Sequence, residues 1–188
     1  MWQPNLTRYL PAQVELSNTI RRIVMDHNRW VRTLISRIIF NIGDQFGRKA
    51  AEDRLEQISG KFADFFAEYY GEDFGKRVQE NYRSYIQHIE LMIEAYRDNN
   101  PDAAAEQRSI LYGIADEFAN LASHINRYWD FATMQIIIRE LVNTTEEQIL
   151  SIVYGDYMQD AEKYDNFMDQ AYRLADELTY GILRQFQV

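Results

Sequence analysis

Apolar side chains recur every three to four residues along most of the chain, and this spacing predicts helices almost from end to end. Ile20, Val24, Val31, Leu34 and Ile38 form the first stripe, which predicts a helix over residues 11–42. Pro11 suits its first turn, where a missing N–H costs no hydrogen bond, and Gly43 stands where a helix end favours glycine. Ala51, Leu55, Ile58, Phe62, Phe65 and Tyr69 predict a second helix over 48–70, with Gly47 loosening the connection before it. Tyr70-Gly71-Glu72 closes that helix. Phe74, Val78, Tyr85 and Met92 then predict a third over 72–97, ended by the break Asp98-Asn99-Asn100-Pro101. Leu111, Ile114, Phe118, Leu121 and Ile125 mark a fourth over 101–126. Tyr157, Tyr164, Met168, Ala171, Ala175, Leu178 and Ile182 mark a last long helix over 156–186.

The stretch between the last two is less regular. Ile136-Ile137-Ile138 would suit a strand by propensity, but no partner strand is apparent, so a short buried helix over 130–142 is predicted. Thr144 with Glu147, or Thr145 with Gln148, has capping-box spacing and predicts a new short helix running to Tyr154. The expected fold is therefore all-α, an up-and-down bundle of four long helices with additional short ones. It forms a single domain over 1–188, with residues 1–10 as a lead-in in which Pro4 opposes an early helix.

Charge narrows the partners. The chain carries 20 Lys and Arg against 29 Asp and Glu, a net charge of −9, which argues against a dedicated nucleic-acid binder. The distribution is uneven: residues 1–42 hold six arginines against Glu15 and Asp26, a charge of +4, leaving −13 for the rest. A basic first helix beside acidic ones accounts for this, and an anion along Arg22 and Arg29, which share a face, is the sharper reading. There is no cysteine, so thiolate chemistry and disulfides are absent. No window approaches a membrane span and no secretory leader is recognisable, so a cytoplasmic protein is expected.

No Gly-rich phosphate loop and no Gly-x-Ser-x-Gly motif occurs, and an enzymatic role is not favoured. The candidate chemistry rests on His27, which occupies a stripe position between Val24 and Val31, and on His88, on a comparable stripe of the third helix. Neither has the Glu-x-x-His spacing of di-metal bundles, so any divalent metal would need acids from other helices, with Glu117 and Asp176 as donors. Trp30 and Tyr85 are the aromatic neighbours of a ligand site around these histidines. The preferred reading is a small-molecule or metal-binding bundle with a His-containing core site. The alternative is a structural or interaction protein that self-associates into a homo-oligomer and whose histidines only satisfy the core.

Several elements resemble an uncharacterised family of small helical bacterial proteins: His27-x-x-Trp30, Tyr70-Gly71-Glu72, mid-helix His88, Ala115-Asp116-Glu117 and Tyr128-Trp129. So does the tail, with Gly155-Asp156-Tyr157, Tyr164-Asp165, Ala175-Asp176 and Gly181-Ile182-Leu183-Arg184-Gln185-Phe186. Some members of that family are labelled acetylglutamate kinase. Amino-acid kinases are α/β proteins with Gly-rich loops, and neither feature is present here, so that activity is not expected. Arg127 replaces a proline of the family pattern, and His124 is particular to this chain, which makes it a weaker candidate than His27 or His88.

Overall fold

The computed structural model describes residues 11–187, all in helices or the turns between them. The lead-in over 1–10 lies outside the described residues. Six helices follow one another: α1 (Pro11–Phe40), α2 (Asp44–Tyr70), α3 (Glu72–Arg97), α4 (Pro101–Ile125), α5 (Phe131–Val153) and α6 (Tyr157–Phe186). All are long. The shortest, α5, has 23 residues where two short helices are predicted.

The reason lies in what the polar stretch at 143–148 faces. Thr144 and Thr145 are buried, and their hydroxyls donate back to Glu140 O and Leu141 O instead of capping a new helix. Buried Glu146 accepts from Arg108 of α4 and Tyr96 of α3, and Gln148 accepts from Arg32 of α1. These residues look like a break in the sequence because they are polar. They continue the helix because partners on three other helices meet them. Twelve of the 23 residues of α5 are buried, as befits a helix surrounded on several sides.

Each helix packs on its predecessor and its successor, and α6 returns to α1, closing a ring. The odd-numbered helices α1, α3 and α5 also touch one another, so they form the interior and α2, α4 and α6 each cover two of them. Cross-helix pairs run in opposite directions along neighbours. On α2 and α3, Arg48 meets Glu94 and Glu56 meets Arg83; on α1 and α6, Arg21 meets Asp176 and Arg32 meets Asp160. Neighbours in the ring are thus antiparallel where these pairs fix them.

The turns follow from local chemistry. Asn41 takes a left-handed conformation (φ 51°), so α1 stops at Phe40, two residues earlier than predicted. Gly47 does not loosen the connection: it lies inside α2, and a Cβ there would sit 2.3 Å from Ile42 O. Asn100, Asp130 and Asp156 cap α4, α5 and α6 by accepting from the backbone N–H three residues on. At one end of the ring Trp129 is fully buried against Phe66 and Tyr70, and its indole N–H donates to Glu177 O at 3.1 Å. Gly181 makes room for that ring, since a Cβ would stand 2.0 Å from Trp129 Nε1.

Candidate functional site

The stripe of α1 that includes His27 turns inward, and the imidazole reaches the middle of the ring with only 8% of its surface exposed. It borders a cavity of about 90 Å³ to which every helix contributes. His27 comes from α1, Phe62 from α2, Tyr82 and Tyr85 from α3, Phe118 from α4, Leu141 from α5 and Leu178 from α6. His27, Tyr82 and Tyr85 supply its polar atoms; the other lining side chains are aliphatic or phenyl.

These three polar groups are coupled. His27 Nδ1 and the Tyr82 hydroxyl share a hydrogen bond of 2.8 Å, and the Tyr82 ring meets the imidazole edge-on at 5.4 Å between centroids. The Tyr85 ring lies 5.8 Å from the imidazole on the same side. Phe62 backs Tyr82 at 5.3 Å. Tyr82 and Tyr85 are three residues apart on α3, which places both phenols on the face presented to α1.

Burial sets the charge state. It lowers the His27 pKa to about 4, because charging an imidazole there would remove an ion from water with no acid to compensate. It also raises Tyr85 to about 12 and Tyr82 well above the usual phenol range. At neutral pH the trio is uncharged. The Tyr85 hydroxyl is buried without a well-formed hydrogen bond, and the Thr145 hydroxyl beside it partly offsets the upward push of burial on its pKa. Among the described residues no partner accompanies His27 Nε2. The cavity therefore holds hydrogen-bonding capacity that the protein itself does not use.

The other candidates go elsewhere. Trp30 packs half-buried on the core and does not line the cavity. His88 lies three residues beyond Tyr85, and its Nδ1–H donates to Gln107 Oε1 of α4 at 2.7 Å. Glu117 is exposed. Asp176 faces solvent and pairs with Arg21 at 2.6 Å. The metal set His27, His88, Glu117 and Asp176 is thus not brought together, and among the described residues no group of three or more His, Asp or Glu is placed to hold a metal ion. His124 donates from Nδ1 to Asn120 O at 2.7 Å, within its own helix.

Tyr82 is the functional candidate that sequence reasoning passes over. The available signal is its position four residues after Val78, which continues the α3 stripe; a phenol at that position is a natural partner for a buried imidazole. No helix is long and apolar enough to cross a membrane, among the described residues. No family model, no curated protein sequence and no solved structure matches the chain.

Proposed function

We propose that this protein binds a small, neutral, largely apolar molecule in the central cavity, with the ligand's one polar group against His27, Tyr82 and Tyr85. The observation that carries this reading is an apolar space lined by all six helices whose polar lining residues are His27, Tyr82 and Tyr85 alone, the Tyr85 hydroxyl being buried without a well-formed hydrogen bond. Pockets that bind organic molecules combine an apolar lining with a few convergent polar groups, and this one does so without any charge. A charged ligand would meet no counter-ion there, and a metal would meet one imidazole and two protonated phenols.

The volume of about 90 Å³ sets the ligand's scale. It is smaller than the engineered cavity of about 150 Å³ that stays dry and takes up benzene, so the occupant has a handful of heavy atoms unless side chains move. Short-chain alcohols such as isopropanol are suitable probes. Binding to the folded form alone raises the melting temperature with probe concentration. The Leu141→Trp variant, which fills the space, abolishes the shift; an equal shift in that variant would contradict the proposal.

The helix order supports an up-and-down arrangement of six helices around this cavity as the scaffold. Self-association is favoured by a separate observation: Phe46, Tyr154 and Met158 are 77%, 78% and 85% exposed near the α1–α2 and α5–α6 turns. The Arg32–Asp160 pair puts the end of α1 beside the start of α6, so these side chains share one end of the molecule. Sedimentation equilibrium of the Phe46→Ser, Met158→Ser double variant against the wild type tests that reading.

A further inference from the structure

The arginines of α1 are unequally provided with counter-charges. Arg21 has Asp176, and Arg32 has a bidentate partner in Asp160 at 2.6 and 2.7 Å. Among the described residues the remaining three lack a carboxylate of their own. Arg22 donates to Asn18 O and Arg37 to Ile42 O, both backbone carbonyls. Arg29 reaches Asp26 at 3.4 Å, but Asp26 also accepts from Lys61 at 3.1 Å and lies 3.7 Å from Arg54, so one negative charge is divided among three cations. The Arg29 side chain is 69% exposed.

Arg29 and Arg37 border one surface depression of about 350 Å³ between α1 and α6, together with Arg32 and Tyr164. They are eight residues apart, about 12 Å along the helix axis; Arg29 leans toward Asp26 and Arg37 toward Ile42 O, so both side chains swing inward to hold one object between them. Tyr164 is held in place by Arg32, whose guanidinium carbon stacks 4.7 Å above the ring, and among the described residues its hydroxyl has no hydrogen-bond partner. Thr33 and Ser36, on the same wall, spend their hydroxyl protons on Arg29 O and Arg32 O. What remains unspent in the depression is donor capacity: the Arg29 guanidinium, the N–H groups of Arg37 other than the one on Ile42 O, and the Tyr164 phenol. A cluster of donors with uncompensated positive charge accepts a ligand that only accepts hydrogen bonds and carries more than one negative charge.

We infer that the α1–α6 depression is a binding site for a phosphate group, held by Arg29, Arg37 and the Tyr164 hydroxyl, separate from the central cavity. Tetrahedral phosphate offers acceptor oxygens in several directions at once, which suits two guanidinium groups approaching from opposite ends of the depression. The site lies on the outer surface, so it binds whether or not the cavity is occupied. Arg32, neutralised by Asp160, lines the depression and fixes the phenol.

The test is an NMR titration of the full chain with inorganic phosphate, pyrophosphate and malonate at constant ionic strength. The inference predicts saturable shifts at Arg29, Thr33, Arg37 and Tyr164 with phosphate and pyrophosphate, and weaker binding of malonate. Arg29→Gln and Arg37→Gln each weaken the phosphate by about tenfold, as expected for loss of a charge-assisted hydrogen bond. Arg22→Gln, which removes the same charge from the same helix outside the depression, leaves affinity within about twofold by the same scale. Shifts that never saturate, malonate binding as tightly as phosphate, or Arg22→Gln weakening phosphate as much as Arg29→Gln would each overturn it.

Discussion

His27 provides a pH-dependent stability that can be worked out from its surroundings. Its pKa falls from the free value of 6.5 to about 4 in the folded protein, through burial alone. Below pH 6.5 the unfolded chain therefore takes up a proton that the native state refuses, and stability falls as pH falls. The contribution is intact above pH 6.5, declines between 6.5 and 4, and is fully lost below 4. At 1.36 kcal/mol per pH unit the whole span amounts to about 3 kcal/mol, of which about 2 kcal/mol is gone by pH 5. The groups facing the imidazole are Tyr82 and Tyr85, which stay neutral throughout this range, so no other titration in the cavity masks the effect. Urea unfolding of the wild type and the His27→Gln variant at pH 7 and pH 5 isolates it. The wild type should lose about 2 kcal/mol more than the variant between those two values. Parallel losses in the two proteins would refute the claim that His27 is buried uncharged.

Three further outcomes follow from single contacts. Gly181→Ala forces a methyl against Trp129 Nε1 and breaks its bond to Glu177 O; it should cost about 3 kcal/mol in urea unfolding, with a red-shifted tryptophan emission. Asp160→Asn leaves the half-buried Arg32 without its counter-ion and should cost about 2 to 3 kcal/mol, whereas the paired Arg32→Met, Asp160→Leu variant should recover most of it in a double-mutant cycle. Burial and a hydrogen bond with Glu52 raise the Glu90 pKa to about 7, so its contribution is present below the free value of 4.5 and is lost as pH rises through 7. Glu90→Gln should therefore flatten the fall in stability between pH 5 and pH 8, measured by denaturation at each pH.

Five of the six helices are legible in the sequence because glycine, proline and Asx residues punctuate them. Gly71, Pro101 and Asp156 mark real boundaries, and the stripes between them are core positions such as Leu55, Met92 and Leu178. The continuous α5 is not legible. Its middle is polar, and only the folded arrangement brings Arg108, Tyr96 and Arg32 to Glu146 and Gln148. The same limit governs the site. A histidine on an apolar stripe reads correctly as a core imidazole, since periodicity reports which face is buried. Which groups meet it across helices is set by helix rotation, about 100° per residue. Each three-residue step falls about 60° short of a full turn, so Tyr82 and Tyr85 still share the cavity face, while His88, two such steps and about 120° round from Tyr82, leaves it and meets Gln107. Glu117 and Asp176, each one step off a stripe, likewise fall on the solvent side.

Binding in the central cavity is tested most directly by a methyl NMR titration of the wild type and the Tyr85→Phe variant with isopropanol. Saturable shifts are expected in the methyls of Val24, Val78, Ile138, Leu141, Leu174 and Leu178, which line the cavity. A loss of affinity of about fivefold to tenfold is expected in Tyr85→Phe, the scale of one neutral hydrogen bond. Saturable shifts confined to exposed methyls, or no shift in the cavity methyls at any isopropanol concentration the fold withstands, would contradict binding there.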